Sequence, residues 1–151
     1  MQLANFSCKL NYMKYLGVDY GSKRVGLAVS DFSESFAMPL KVISDFASLE
    51  DLLDEVERIC KDKDIDEIVV GESKDFSQKD NKIMKEIKLF AKKLKEKLKI
   101  SIHMHPEFLT SQEAKRLQGK NEMHDASAAA LILKSYLETN KHDAKRKKRI
   151  I

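Results

Sequence analysis

Residues 15–31 read YLGVDYGSKRVGLAVSD, and the rest of the chain is organised around them. Two runs rich in β-type residues, Tyr15 to Val18 and Val25 to Ser30, flank a polar turn that holds Asp19, Gly21, Ser22, Lys23 and Arg24. That is the pattern of a β-hairpin. One carboxylate, Asp19, sits where the first run ends. Gly17 and Gly21 lie two residues to either side of it; they remove side-chain bulk and permit backbone angles other residues resist, so a phosphate or a metal ion could approach the acid closely. An Asp before a hairpin turn is also ordinary turn chemistry, and the local residues leave both readings open. The glycines at 17, 21 and 26 fit neither the phosphate-cradling GxxxxGK[ST] nor the dinucleotide GxGxxG spacing, which leaves those two nucleotide folds unsupported.

Downstream, Phe36 to Ile43 is apolar and β-prone, but Pro39 removes a ladder donor and restricts this third antiparallel strand to a sheet edge or a bulge. Leu49, Leu52, Leu53, Val56 and Ile59 recur at helical spacing after Ser48, a candidate N-cap. Glu67 to Gly71 is a short continuous apolar run, as expected of a parallel strand covered on both faces. A polar loop follows over 72–81. From Asp80 to Lys99 the pattern is a long helix with a lysine-rich outer side. Ile100, Ile102 and Met104 then alternate with Ser101, His103 and His105 in a strand that Pro106 ends. The two histidines share a face, but a zinc site needs further ligands at suitable spacing and none is nearby. Thr110 to Leu117 reads as a short helix with a capping box of Thr110 and Glu113, and His124 to Glu138 as the last helix. A hairpin meander followed by βα alternation predicts a mixed sheet with helices packed against it.

At 151 residues the chain suits one domain, expected over 1–140, with 1–13 an extension of uncertain order and Met13 a candidate start. The first residues lack a secretory h-region, no apolar run approaches the ~18 to 20 residues of a membrane span, and the spaced cysteines Cys8 and Cys60 fit reduced thiols. A cytoplasmic protein without membrane contact is expected, monomeric or weakly dimeric. The net charge of +4 is concentrated: residues 141–151 hold Lys141, Lys145, Arg146, Lys147, Lys148 and Arg149 against Asp143, and the remainder is close to neutral. This tail is expected to be a disordered, solvated end, with any grip on nucleic acid coming from it or from local patches.

Three carboxylates fall at element ends that such a sheet brings to one edge: Asp19 ending the first strand, Glu107 after the 100–105 strand, and Asp125 opening the last helix. Oxygen-only, anionic ligands suit Mg²⁺ or Mn²⁺, and a pair of such ions can activate water and steady the leaving oxygen of a phosphodiester. Asp125 would equally serve as an N-cap and Glu107 as a surface acid. The small residues from Ala126 to Ala130 would let the last helix approach the sheet closely.

YLGVDYGSKRVGLAVSD resembles the first motif of the YqgF family of small bacterial ribonuclease-H-like proteins, named as pre-16S ribosomal RNA nucleases and as Holliday junction resolvases. The resemblance continues in GESKDFSQKDNKIMKEIKLFAKKL from Gly71, PEFLTSQEAKRL from Pro106 and DASAAALILKSYLE from Asp125. It implies an α/β, ribonuclease-H-like, mixed five-stranded sheet with helices on both faces. It also implies Asp19, Glu107 and Asp125 as catalytic metal ligands, with two Mg²⁺ or Mn²⁺ ions. The substrate would be structured RNA, at the 5′ end of the 16S precursor, with branched DNA as the alternative. Lys23 and Arg24 are the foremost phosphate contacts, Lys120 and Lys74 weaker ones; Asp31 would be structural or outer-shell. Two departures stand out. Phe108 occupies the place of the family's arginine, and Glu72 and Ser73 replace Leu-Pro after Gly71. Two other classes remain open: a nucleotide-binding protein, since related folds bind ATP phosphates at such a turn, and a non-catalytic ribosome-assembly binder.

Overall fold

The computed structural model describes residues 13–31, 36–72, 82–106 and 123–150, the helical residues 123–125 and 142–150 by their backbone alone. Its elements in chain order are β1 (Tyr15–Tyr20), β2 (Arg24–Ser30), β3 (Ala37–Ser44), α1 (Leu49–Asp62), β4 (Glu67–Glu72), α2 (Lys82–Leu98), β5 (Ser101–Pro106) and α3 (Met123–Ile150). The strands form one five-stranded sheet in the order β3-β2-β1-β4-β5. The hairpin is antiparallel with Asp19 opposite Gly26. Strand β4 returns parallel to β1, with Val18 opposite Val70, and β5 lies parallel to β4, with Gly71 opposite His105. The mixed sheet expected from the sequence is thus formed.

Alternation along the strands sorts the core into two layers. Leu16 and Val18 of β1, Val25 and Leu27 of β2, and Ile68 and Val70 of β4 pack with Leu52, Leu53 and Val56 of α1 and Ile87, Phe90 and Leu94 of α2. Tyr15, Ala28 and Val69 point the other way and pack with Ala129, Ile132, Leu133 and Leu137 of α3. Burial of each large apolar side chain contributes roughly 1.5–3 kcal/mol, so both layers hold the sheet. Cys60 lies in the first layer, where burial pushes its thiol up to about 12; it is a core residue with little thiolate character.

Local signals account for the ends. Ser48 caps α1, its Oγ accepting from the Asp51 N–H at 3.2 Å. Asp64 and Lys99 take left-handed conformations (φ 53° and 57°) just beyond α1 and α2, supplying the reversal that glycine usually provides. Pro39 sits on the edge strand opposite Ala28, where the register shifts between Leu27 and Ala28, as its missing N–H requires. At the tip of the hairpin a Cβ on Gly21 would lie 2.6 Å from the Arg24 carbonyl oxygen, so only glycine closes that turn without displacement. Asp31 closes the β2–β3 connection, its Oδ1 accepting from the Phe36 N–H at 3.1 Å. That is the end of β2 away from the hairpin turn, so Asp31 is structural rather than outer-shell.

The structure departs from the sequence reading in α3. Expected to close at Glu138 ahead of a disordered tail, the helix runs on to Ile150. No Gly or Pro follows Gly119, and the segment is made largely of Lys, Arg and Ala, which favour helix; basic residues near a helix C-terminus also complement its dipole. The expected 110–117 helix lies outside the described residues. No helix among the described residues is long and apolar enough to cross a membrane.

Candidate active site

β1, β4 and β5 run parallel and end together at Tyr20, Glu72 and Pro106. In open α/β sheets the crevice at such an edge is where ligands bind. Asp19 lies there, half-buried, and it is paired within the β1–β2 ladder rather than in the turn. Tyr15 and Gly17 face α3, and by alternation Asp19 shares their side. Its cross-strand partner is Gly26, and the β1–β4 register carried one residue beyond Val18 and Val70 puts Gly71 on its other flank. With Gly17 two residues before it on the same face, Asp19 stands on a floor of glycines. Asp is depleted in strands because it competes for backbone hydrogen bonds and packs poorly, which makes Asp19, in the ladder at this edge, a candidate ligand residue.

Helix α3 meets this floor at Gly17. A Cβ built there would lie 2.8 Å from Leu133 Cβ and 2.9 Å from the Ala129 carbonyl oxygen, a separation that only a hydrogen side chain allows. At the start of β1, Tyr15 meets Tyr136 edge-on, with ring centroids 5.7 Å apart. Asp19 lies beyond Gly17 from Tyr15, and Asp125, one turn before Ala129, lies beyond the same contact from Tyr136. The close approach expected of the Ala-rich helix is realised at that glycine. Asp125 is the third residue of α3, which begins at Met123; it belongs to the first helical turn and is not the N-cap. Glu107, Phe108, Lys120 and Lys74 lie outside the described residues. Among the described residues no group of three or more His, Cys, Asp or Glu is arranged to hold a metal ion. Lys23 and Arg24 are exposed at the hairpin tip, on the edge where β1 ends.

One cluster was legible only as an alternation of histidines. His103 Nε2 lies 2.9 Å from Glu67 Oε2, and its ring stacks on Tyr136 at 5.3 Å. His105 Nε2 lies 2.9 Å from Ser135 Oγ. Both histidines therefore tie the edge strand β5 to its neighbours in the sheet and to α3, and they have no further donors beside them for zinc among the described residues. Burial holds His105 below the usual imidazole range, against the opposing pull of the Glu72 carboxylate. The neutral ring is the one the fold accommodates. Stability is therefore expected to hold above the ordinary histidine pKa of about 6.5 and to decline as pH falls below it, because the unfolded chain then binds the proton more readily. Urea unfolding between pH 8 and pH 5 should show that decline, and His105→Gln, which keeps a partner for Ser135, should flatten it.

Comparison with known proteins gives these features a family. The family model RuvX, described as Holliday junction resolvase, matches residues 13–139. A protein of Lawsonia intracellularis named "Putative pre-16S rRNA nuclease" is 34% identical over 139 residues, covering 87% of this chain and 97% of that one. One of the same name from Caldanaerobacter subterraneus is 32% identical over 139 residues, covering 86% and 99%. Among solved structures, RuvC of T. thermophilus in complex with a Holliday junction substrate superimposes with a TM-score of 0.58 at 13% identity, over 86% of this chain and 96% of that one. The resolvase of fowlpox virus in complex with Holliday junction DNA follows at 0.52 and 14%, over 84% and 98%. The last two likenesses establish the ribonuclease-H-like fold, and by the family match and the curated relatives the chain belongs to the RuvX family of nucleases.

Proposed function

We propose that this chain hydrolyses phosphodiesters of structured RNA with a divalent metal held by Asp19, Glu107 and Asp125, and that its substrate is the 5′ end of pre-16S rRNA. One observation carries the reading: Asp19 sits inside a strand, on a floor of glycines at the C-terminal edge of the parallel strands, on the face where α3 is seated by Gly17. The substrate part rests on the relatives named for pre-16S rRNA.

The donor set fits Mg²⁺ or Mn²⁺, because carboxylate oxygens are the hard ligands those ions prefer and glycines leave room for water and phosphate around the acid. When bound, such ions lower the pKa of water and neutralise charge on the phosphate. The chain's own residues supply the rest. Asp19, fixed in the ladder, is the rigid member of the ligand set; Gly17 fixes the height of α3 and hence of Asp125 above the sheet. Lys23 and Arg24, on the hairpin tip next to Asp19, hold the phosphate from outside. Among the described residues Tyr20 packs against Phe90 and Tyr15 against Tyr136; the phosphate contacts at the hairpin tip make backbone and shape, rather than base identity, what is read.

A second reading, resolution of four-way DNA junctions, draws on the family description and on the junction-bound resolvases of the same fold. Incubating the protein with an RNA carrying the 16S 5′ leader and with a four-way DNA junction, each with Mg²⁺ and with EDTA, separates the two. Metal-dependent cleavage of the RNA is expected. Cleavage of the junction alone would overturn the substrate assignment, and cleavage of neither, with Mg²⁺ or Mn²⁺, the activity.

A further inference from the structure

Among the α3 residues whose side chains are described, Leu137 is the last buried one; Glu138, Thr139, Asn140 and Lys141 are all exposed, and the helix continues to Ile150. At 1.5 Å per residue that is roughly 20 Å of helix beyond Leu137. The segment carries Lys141, Lys145, Arg146, Lys147, Lys148 and Arg149 against one acid, Asp143. Positions 141, 145, 148 and 149 recur at the three- and four-residue steps that place them on one stripe of the helix. The family match ends at residue 139, before this run begins.

The root of the extension is fixed. Leu133 and Ala129 seat α3 on Gly17, Ser135 pairs with His105 at 2.9 Å, and Tyr136 stacks on His103. Past that anchorage, like charges at i, i+4 such as Lys141 with Lys145 and Lys145 with Arg149 oppose helix formation. A helix that is basic along one stripe is completed by a polyanion, which turns the repulsion into attraction.

We propose that Glu138–Ile150 is a basic helical arm that binds the phosphate backbone of structured RNA at a fixed distance from Asp19 and Asp125. It extends the footprint of the enzyme away from the site of cleavage. The choice of RNA rests on the function proposed above, whereas the arm itself does not depend on hydrolysis. Three full-length proteins test it: wild type, a form with Lys141, Lys145, Lys148 and Arg149 replaced by Gln, and a form with Gly-Ser-Gly inserted between Asn140 and Lys141. Binding to a fluorescently labelled RNA hairpin is followed in EDTA, where nothing is cleaved, as KCl is raised. The four-Gln protein should lose roughly 3 from the log–log salt slope, at about 0.7–0.9 per phosphate contact. That corresponds to about 10²-fold in affinity at the low-salt end. The insertion keeps every charge but frees the arm, and should weaken binding several-fold and blur the far end of the protected footprint. An unchanged slope in the four-Gln protein would overturn the arm. Wild-type affinity and footprint in the insertion protein would overturn its fixed placement. RNA binding with these dependences in a protein that cleaves nothing would leave the arm in place and remove only the nuclease reading.

Discussion

Asp19→Asn is expected to abolish metal-dependent cleavage while leaving the protein folded. Asn keeps the size of the side chain and its place in the β1–β2 ladder opposite Gly26, but it replaces a charged oxygen pair by one neutral amide oxygen, a far weaker partner for a hard cation. Metal-ion stabilisation of a phosphoryl transition state is worth several kcal/mol; losing about 4 kcal/mol lowers the rate roughly a thousandfold. Stability should not fall. In the metal-free protein Asp19, Glu107 and Asp125 repel one another under the proposed arrangement, and neutralising one relieves that. Mg²⁺ should then raise the melting temperature of the wild type more than that of the mutant, because a ligand that binds only the folded state stabilises it in proportion to its affinity. If Asp19 served merely to shape the turn, Asn would replace it without loss. Retention of both cleavage and metal-induced stabilisation by Asp19→Asn would sink the three-acid site.

The second large effect is on stability. Gly17→Ala places a methyl 2.8 Å from Leu133 Cβ and 2.9 Å from the Ala129 carbonyl oxygen, where carbon contacts are comfortable only near ~3.5–4.0 Å. Neither neighbour can rotate away: one is a Cβ and the other is backbone. The whole of α3 must lift, disturbing the layer of Tyr15, Ala28, Val69, Ile132 and Leu133. Overpacking of this kind costs typically about 1–3 kcal/mol and occasionally more, and the rigidity of both neighbours puts Gly17→Ala at the upper end, about 3 kcal/mol. It should show as a lower urea midpoint at unchanged slope. Lifting α3 also shifts Asp125, and a misplacement of about 1 Å in a catalytic group can cost on the order of 10²-fold in rate. Wild-type stability in Gly17→Ala would mean that α3 is not seated on this glycine.

Much of the fold was legible because its signals are local. The hairpin declares itself in two β-type runs around a glycine turn, Ser48 in the capping geometry it adopts, and Pro39 in its confinement to an edge. The parallel strand Glu67–Glu72 could be read from a continuous apolar run, since a strand covered by helices on both faces has no polar side to show. The contact that organises the candidate site was less visible. Gly17 could be noted as small, but that its missing Cβ is filled by Leu133 and Ala129 depends on residues more than a hundred positions away. His105 and Ser135, 30 positions apart, are likewise a pair with no sequence pattern of its own. The length of α3 was misjudged for a different reason: a run of like charges argues for solvation, yet the absence of Gly and Pro and the anchorage of the helix at Tyr136 and Ser135 favour its continuation.

The most direct test of the proposed site is a Mn²⁺ titration of the isotopically labelled protein followed by NMR, since the paramagnetic ion broadens amide signals according to their distance from it. Broadening that begins together at Asp19, Gly26, Gly71 and Asp125, and is lost in Asp19→Asn, is the result this account requires. Broadening centred elsewhere, or unchanged in the mutant, would contradict it.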